Sequence, residues 1–146
     1  MELIPIQPEP ENNPEFASNP LCQESLPMTI DFYKRVGFQP PWICYYARLD
    51  DQLVGSVAFK GRPVNGTVEI AYGTFEPYQN RGIGAQLCRK LVELSLATDP
   101  SVRITARTLP ENNFSARLLR RNGFRLLGTV QDPEDGSVWE WEYKKD

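Results

Sequence analysis

Residues 72–85 read YGTFEPYQNRGIGA. β-Formers give way to Pro77, then to polar Gln79, Asn80 and Arg81, and then to Gly82 and Gly84 at the start of an apolar pattern. Strand, loop and glycine-led helix are the parts of an anion cradle. The first-turn N–H groups of a helix lack internal partners and carry the positive end of its dipole. Glycine there lets a phosphate approach the backbone, and Arg81 adds a cation. The loop alone admits a second reading, in which the glycines only permit close packing of helix on strand. A Walker loop is excluded, because GxxxxGK followed by Ser or Thr is missing. A dinucleotide fingerprint would place a third glycine at 87, which is Leu87.

The strand before the loop, TVEIAYGTF at 67–75, tilts the balance toward a ligand. One face carries Val68, Ile70, Tyr72 and Thr74, and the other Glu69, Ala71, Gly73 and Phe75. Ala71 and Gly73 leave nearly bare backbone, and glycine inside a strand marks a bulge or a close approach. A long, amide-containing molecule with a phosphate tail suits such a rail, with Glu69 on the same side further along.

Outward from this segment the pattern is regular. ICYYARL (43–49) and LVGSVAF (53–59) alternate with period two around an acidic turn, which predicts an antiparallel hairpin leading into 67–75. Ile83, Leu87, Leu91 and Leu94 follow at helical spacing and predict a helix from near Gly82 that stops before Pro100. VRITART (102–108) reads as a strand, and residues 112–122 as a helix capped by Asn112 or Asn113 with Gly123 just past its end. FRLLGTV (124–130) and SVWEWEY (137–143) give two more strands. The order β-β-β-α-β-α-β-β predicts an α/β fold: a mixed, mainly antiparallel central sheet flanked by helices, as one domain over 1–146. The N-terminal part is proline-rich. ELIPI (2–6) reads as a short strand, 7–20 as a linker or surface loop, and 22–37 as one or two short helices interrupted at Pro27 and ended by Gly37.

Composition narrows the chemistry. A net charge of −3 argues against a nucleic-acid partner. The chain has no histidine, which removes the usual general base, the usual metal ligand and every Ser-His or Cys-His mechanism. Cys22, Cys44 and Cys88 lack CxxC spacing and read as buried thiols of a reducing cytosol, and no metal site is expected. No basic and apolar leader and no apolar run of the ~20 residues a membrane span needs are evident, so a cytoplasmic location without a membrane partner is expected.

QNRGIG at 79–84 and PENNFSARLLRRNGF at 110–124 together resemble the GNAT superfamily of acetyl-CoA-dependent N-acetyltransferases. The chain looks most similar to the subgroup of ribosomal-protein N-terminal (RimJ/RimL-like) acetyltransferases. The resemblance is good over roughly 43–146 and general before that. It implies that backbone groups of Thr74 and Phe75 hold the pantetheine arm, and that Gln79, Asn80, Arg81, Gly82, Ile83, Gly84 and Ala85 surround the pyrophosphate. It also implies that Asn112 contacts the pantetheine or thioester region, that Ser115 faces the sulfur, and that Arg120 or Arg121 approaches the nucleotide phosphate. Helix capping competes for Asn112 and Ser115, and a solvated helix end for the arginines.

Acetyl transfer to an amine requires a base, a polarised carbonyl and a stabilised thiolate. With no histidine the base should be a carboxylate, and Glu69, on the small-residue face of the cofactor strand, is the candidate; a solvated or ion-paired Glu69 is the alternative. The position at which many family members carry an acidic tyrosine is Leu119, which leaves Ser115 as the candidate acid, with Tyr72 and Tyr78 behind it. The expected partners are acetyl-CoA as cosubstrate and a primary amine of a small molecule, protein or peptide, and a homodimer is compatible with the resemblance. The rival reading is a non-catalytic acyl-CoA-binding module.

Overall fold

The computed structural model describes residues 1–145. β1 (Glu2–Pro5) leads through a short helix, α1 (Pro14–Ala17), to α2 (Ser25–Val36). A hairpin of β2 (Cys44–Leu49) and β3 (Gln52–Phe59) precedes β4 (Thr67–Thr74) and α3 (Ile83–Thr98), and β5 (Arg103–Thr108) and α4 (Phe114–Arg121) follow. The chain closes with β6 (Phe124–Asp132) and β7 (Gly136–Tyr143). The strands form one seven-stranded sheet in the order β1-β2-β3-β4-β5-β7-β6. Only β4 and β5 run parallel; the other neighbours are antiparallel. The expected mixed, mainly antiparallel α/β sheet is therefore present.

The β2–β3 hairpin turns on Asp50 and Asp51, both at positive φ (51° and 65°), so the acidic pair occupies the centre of a two-residue turn whose twist matches the strands. Cross-strand partners share a face. Ala47, Gly55 and Thr74 line up across β2, β3 and β4 on the side covered by α3 and α4. Tyr46, Ser56 and Gly73 line up on the opposite side, where Phe16 of α1 packs edge-on to Tyr46 at 4.7 Å. α3 buries Ile83, Leu87, Cys88, Leu91, Val92 and Ser95, the i, i+4 stripe that its sequence promised, with Leu94 only partly covered.

The N-terminal part differs from its reading as loop and broken helices. α2 is continuous: Pro27 sits in its first turn, where a missing N–H leaves no intrahelical bond unmade. Gly37, at φ 91°, ends it as expected. The segment 7–20 is packed rather than free. Asn13, 2% exposed, accepts from the Gln7 N–H and donates to the Gln7 and Glu9 carbonyls, which clamps the chain so that Phe16 enters the core. The three cysteines are free and buried; burial pushes the thiols of Cys22 and Cys44 up to about 11. Among the described residues no helix is long and apolar enough to cross a membrane.

Candidate active site

The sheet opens at its centre. β4 and β5 pair from Thr67–Arg103 to Ile70–Ala106, and beyond that pair they separate. Phe75 donates its N–H to Val54 and Lys60 donates to the Glu69 carbonyl, so the odd-numbered residues of β4 direct their backbone groups toward β3. Those of Tyr72 and Thr74 therefore face the gap, without a strand partner. Gln79 reaches back from the loop and donates from Nε2 to the Thr74 carbonyl at 3.2 Å, fixing the loop to the strand end.

A cavity of about 650 Å³ occupies this wedge. Its walls are the end of β4, the loop from Tyr78 to Gly82, the first turn of α3, and Phe114, Ser115, Leu118 and Arg121 of α4. The two glycines serve separate purposes. Gly82 is the N-cap of α3 in the left-handed region (φ 75°), has no side chain to cap the helix, and would place a Cβ in open space. The first-turn N–H groups thus stay available to a ligand, with a positive dipole behind them. Gly84 has negative φ; a Cβ there would meet Leu118 Cδ1 at 3.0 Å and Thr74 Oγ1 at 3.6 Å. It lets α4 close against α3, a contact reinforced by the Asn122 amide donating to the Ala85 carbonyl at 3.2 Å. The packing reading applies to Gly84, while Gly82 leaves the open space that the anion reading requires.

Of the residues singled out in the sequence, Thr74, Gln79, Asn80, Gly82, Ile83, Gly84, Ala85, Ser115 and Arg121 line the cavity. Phe75 does not: its N–H is committed to Val54 and its ring turns toward Tyr46 on the other face. Arg81 lies over the Tyr78 ring, 5.9 Å from its centroid. Asn112 is also outside the lining, because its side-chain oxygen accepts from Arg120 at 2.6 Å and its carbonyl from Arg117 at 2.9 Å. Asn113 is the α4 cap, accepting from the Ala116 N–H, so Ser115 is free of that duty. Arg120 lies over the Trp141 ring, which leaves Arg121 as the α4 cation at the cavity. Tyr72 and Tyr78, the alternative acid candidates, line the cavity as well, and Phe114 and Leu118 are further wall residues that the sequence reading did not name. The spacing of Phe114, Leu118 and Arg121 at i, i+4 and i+7 would have placed them on one stripe.

The candidate proton donors separate on environment. Burial drives the Tyr72 hydroxyl pKa well above its ordinary value, and Cys88 beside it adds to the shift, so it holds its proton tightly at neutral pH. Tyr78 spends its proton on Gln52, at 3.0 Å. Leu119 is 1% exposed in the core and supplies no acid.

Glu69 stands apart from the cavity lining, on the sheet face opposite α3 and four residues, about 13 Å, upstream of Gly73. Its carboxylate lies 3.5 Å from Lys60 Nζ and 3.7 Å from Arg107 Nε. This is the ion-paired environment that stood as its alternative.

Comparison with known proteins agrees with this architecture. YjdG of Bacillus subtilis (strain 168), described as an uncharacterized N-acetyltransferase, is 33% identical over 76 residues, covering 51% of this chain and 45% of its own length. The ribosomal-protein-serine acetyltransferase of Escherichia coli (strain K12) is 30% identical over 86 residues, covering 58% of this chain and 48% of its own. The chain thus matches about half the length of each of these relatives. Among solved structures, AAC(6')-Ib in complex with ribostamycin and coenzyme A superposes with a TM-score of 0.61 at 26% identity, over 70% of this chain and 64% of that one. RimL, a ribosomal alpha-N-protein acetyltransferase in complex with coenzyme A, shares the fold with a TM-score of 0.62 at 20% identity, over 90% and 76%. The model of the acetyltransferase (GNAT) family matches residues 11–124, and the chain belongs to that family.

Proposed function

We propose that this chain transfers an acetyl group from acetyl-CoA to a primary amine of a small molecule, protein or peptide, by direct attack of the amine on the thioester. One observation carries the reading: a single cavity joins an uncapped, glycine-led helix N-terminus to a strand end with unpaired backbone groups. The first is suited to a pyrophosphate and the second to the amides of a pantetheine arm. Coenzyme A in the AAC(6')-Ib and RimL structures supports the same donor.

In this reading the N–H groups of the first turn of α3 hold the pyrophosphate, framed by Gln79 and Asn80, while Thr74 and Tyr72 offer backbone groups to the arm. Arg121 balances nucleotide phosphate charge. The amine nitrogen forms the new C–N bond as the C–S bond breaks. The ammonium proton passes to Glu69, through water where the gap requires it, and the departing thiolate takes a proton from Ser115 or solvent. General base assistance is worth roughly 10²–10⁴-fold, with much of the rest from holding amine and thioester together.

The ion-paired Glu69 and the buried Leu119 favour a second reading, an acyl-CoA-binding module without turnover. Both readings require CoA binding, seen as a thermal shift, and only the first requires CoA thiol release with an amine panel that includes an N-terminal serine peptide and an aminoglycoside. Glu69→Gln should lower turnover roughly 10²-fold or more with CoA affinity unchanged. Unchanged turnover removes Glu69 from the mechanism, and a wild type that binds CoA but never releases the thiol favours the second reading.

A further inference from the structure

We propose that Arg107 is a positioning residue for acetyl transfer: it orients the Glu69 carboxylate near the closed end of the wedge while anchoring the β6–β7 turn beside it. The proposal rests on Glu69 being the base.

Arg107 is the first β5 residue past the last β4–β5 pair, Ile70–Ala106, where the two strands part. It shares the sheet face of Glu69, because Glu69 pairs with Thr105 two residues earlier on β5. One guanidinium spans the opening. Nε and Nη2 reach Glu140 Oε2 of β7 at 3.2 and 3.1 Å, Nη1 reaches Asp132 Oδ2 of β6 at 2.9 Å, and Nε lies 3.7 Å from Glu69 Oε1 of β4. The other Asp132 oxygen accepts the N–H groups of Glu134 and Asp135 at 2.9 and 3.1 Å, which ties the turn into the same chain. Lys60, at 3.5 Å, completes it from the far side of Glu69. A guanidinium spreads five donors over a rigid plane that reaches carboxylates on three strands, whereas a lysine presents one compact point charge.

Magnitudes decide what this arrangement is for. Arg107 and Lys60 have side chains 27% and 43% exposed, and ion pairs with that much solvent contribute ~0–1 kcal/mol to stability. Orientation is the larger effect: displacing a catalytic group by ~1 Å costs on the order of 10²-fold in rate. Without Arg107, Glu69 would be left to Lys60 alone, and Asp132 and Glu140, on the neighbouring strands β6 and β7, would lose the cation they share.

A double-mutant cycle of Arg107→Ala and Glu69→Gln tests this, because only a residue acting through Glu69 loses its effect once Glu69 is gone. Turnover is read as CoA thiol release with an N-terminal serine peptide, and as slow acetyl-CoA hydrolysis, in which water replaces the amine. R107A should lower kcat by roughly 10–100-fold with the KM for acetyl-CoA and the CoA-induced thermal shift unchanged. R107K should recover part of the loss, and the double variant should be no slower than E69Q. Wild-type turnover in R107A, losses that multiply in the double variant, or a lost CoA shift in both R107A and R107K would each overturn the proposal. An active wild type with an impaired E69Q and a normal R107A sinks this inference alone. A wild type that binds CoA but shows neither transfer nor hydrolysis sinks the catalytic reading and this proposal with it.

Discussion

Replacing Gly82 with alanine separates the two costs that the cradle reading assigns to this position. The added Cβ meets no atom within 4 Å, so the protein alone loses only the backbone term of a left-handed φ of 75°. That term is about 1–2 kcal/mol for an L-residue, or a Tm lower by roughly 2–8 °C for a chain of this length. The ligand loses more. In the cradle reading the open space above Gly82 is the approach path of a phosphate oxygen to the first-turn N–H groups, and one hydrogen bond to a charged group is worth about 1.5–3 kcal/mol. Coenzyme A affinity should therefore fall about 10- to 150-fold. The assay is a thermal shift at a coenzyme A concentration 100 times the wild-type Kd. The wild type should gain about 2.7 kcal/mol, and the variant only about 0.3–1.4 kcal/mol. A variant with a lowered apo Tm but the full coenzyme-induced shift would show that Gly82 serves the turn and that no phosphate approaches it.

At Gly55 a Cβ would stand 2.5 Å from the Gly73 carbonyl oxygen and 3.2 Å from Thr74 Cα, backbone atoms that cannot rotate away. Gly55→Ala should therefore cost at least about 1–3 kcal/mol, read as a lower urea midpoint at constant m-value; a midpoint equal to wild type would refute the close approach. Asp132 is held down to about 2 by the Glu134 N–H, then by Arg107 and the Asp135 N–H. A depressed folded pKa adds stability that is complete above the unfolded value near 3.9 and is lost as pH falls through about 2. Between pH 5 and 2, Asp132→Asn should show a shallower fall in Tm than wild type, starting from a lower Tm at pH 5; parallel curves would contradict the role of Asp132 in the turn.

What could be read in the sequence was what is contiguous in it. The cradle is a single run in which strand alternation, the polar loop and Gly82 follow one another, so its local chemistry names it. The β2–β3 hairpin was legible for the same reason: its turn is two adjacent acidic residues between alternating strands. The N-terminal part was opaque because its order comes from single side chains. Asn13 closes a loop through three hydrogen bonds and Phe16 fills a place beneath Tyr46, and neither leaves a periodic mark. Pro27 misled because proline breaks a helix interior but not a first turn.

The charged cluster around Glu69 shows the limit most clearly. Along the chain, Glu69, Arg107, Asp132 and Glu140 are charged residues in alternating or turn segments, each readable as solvated. They become one unit because β7 inserts between β5 and β6, a non-local choice no short window records, which sets Glu140 directly across from Arg107. The same insertion brings Asp132, at the end of β6, within 2.9 Å of that guanidinium. The cavity at the end of β4 is thus specified by a local motif, and the charged cluster around Glu69 by sheet order. Changes in the β6–β7 turn should therefore lower turnover through Glu69, read as CoA thiol release, while leaving the CoA-induced thermal shift intact. The turn is bound to the candidate base through one arginine, and among the described residues it makes no hydrogen bond or ion pair with those that line the cavity.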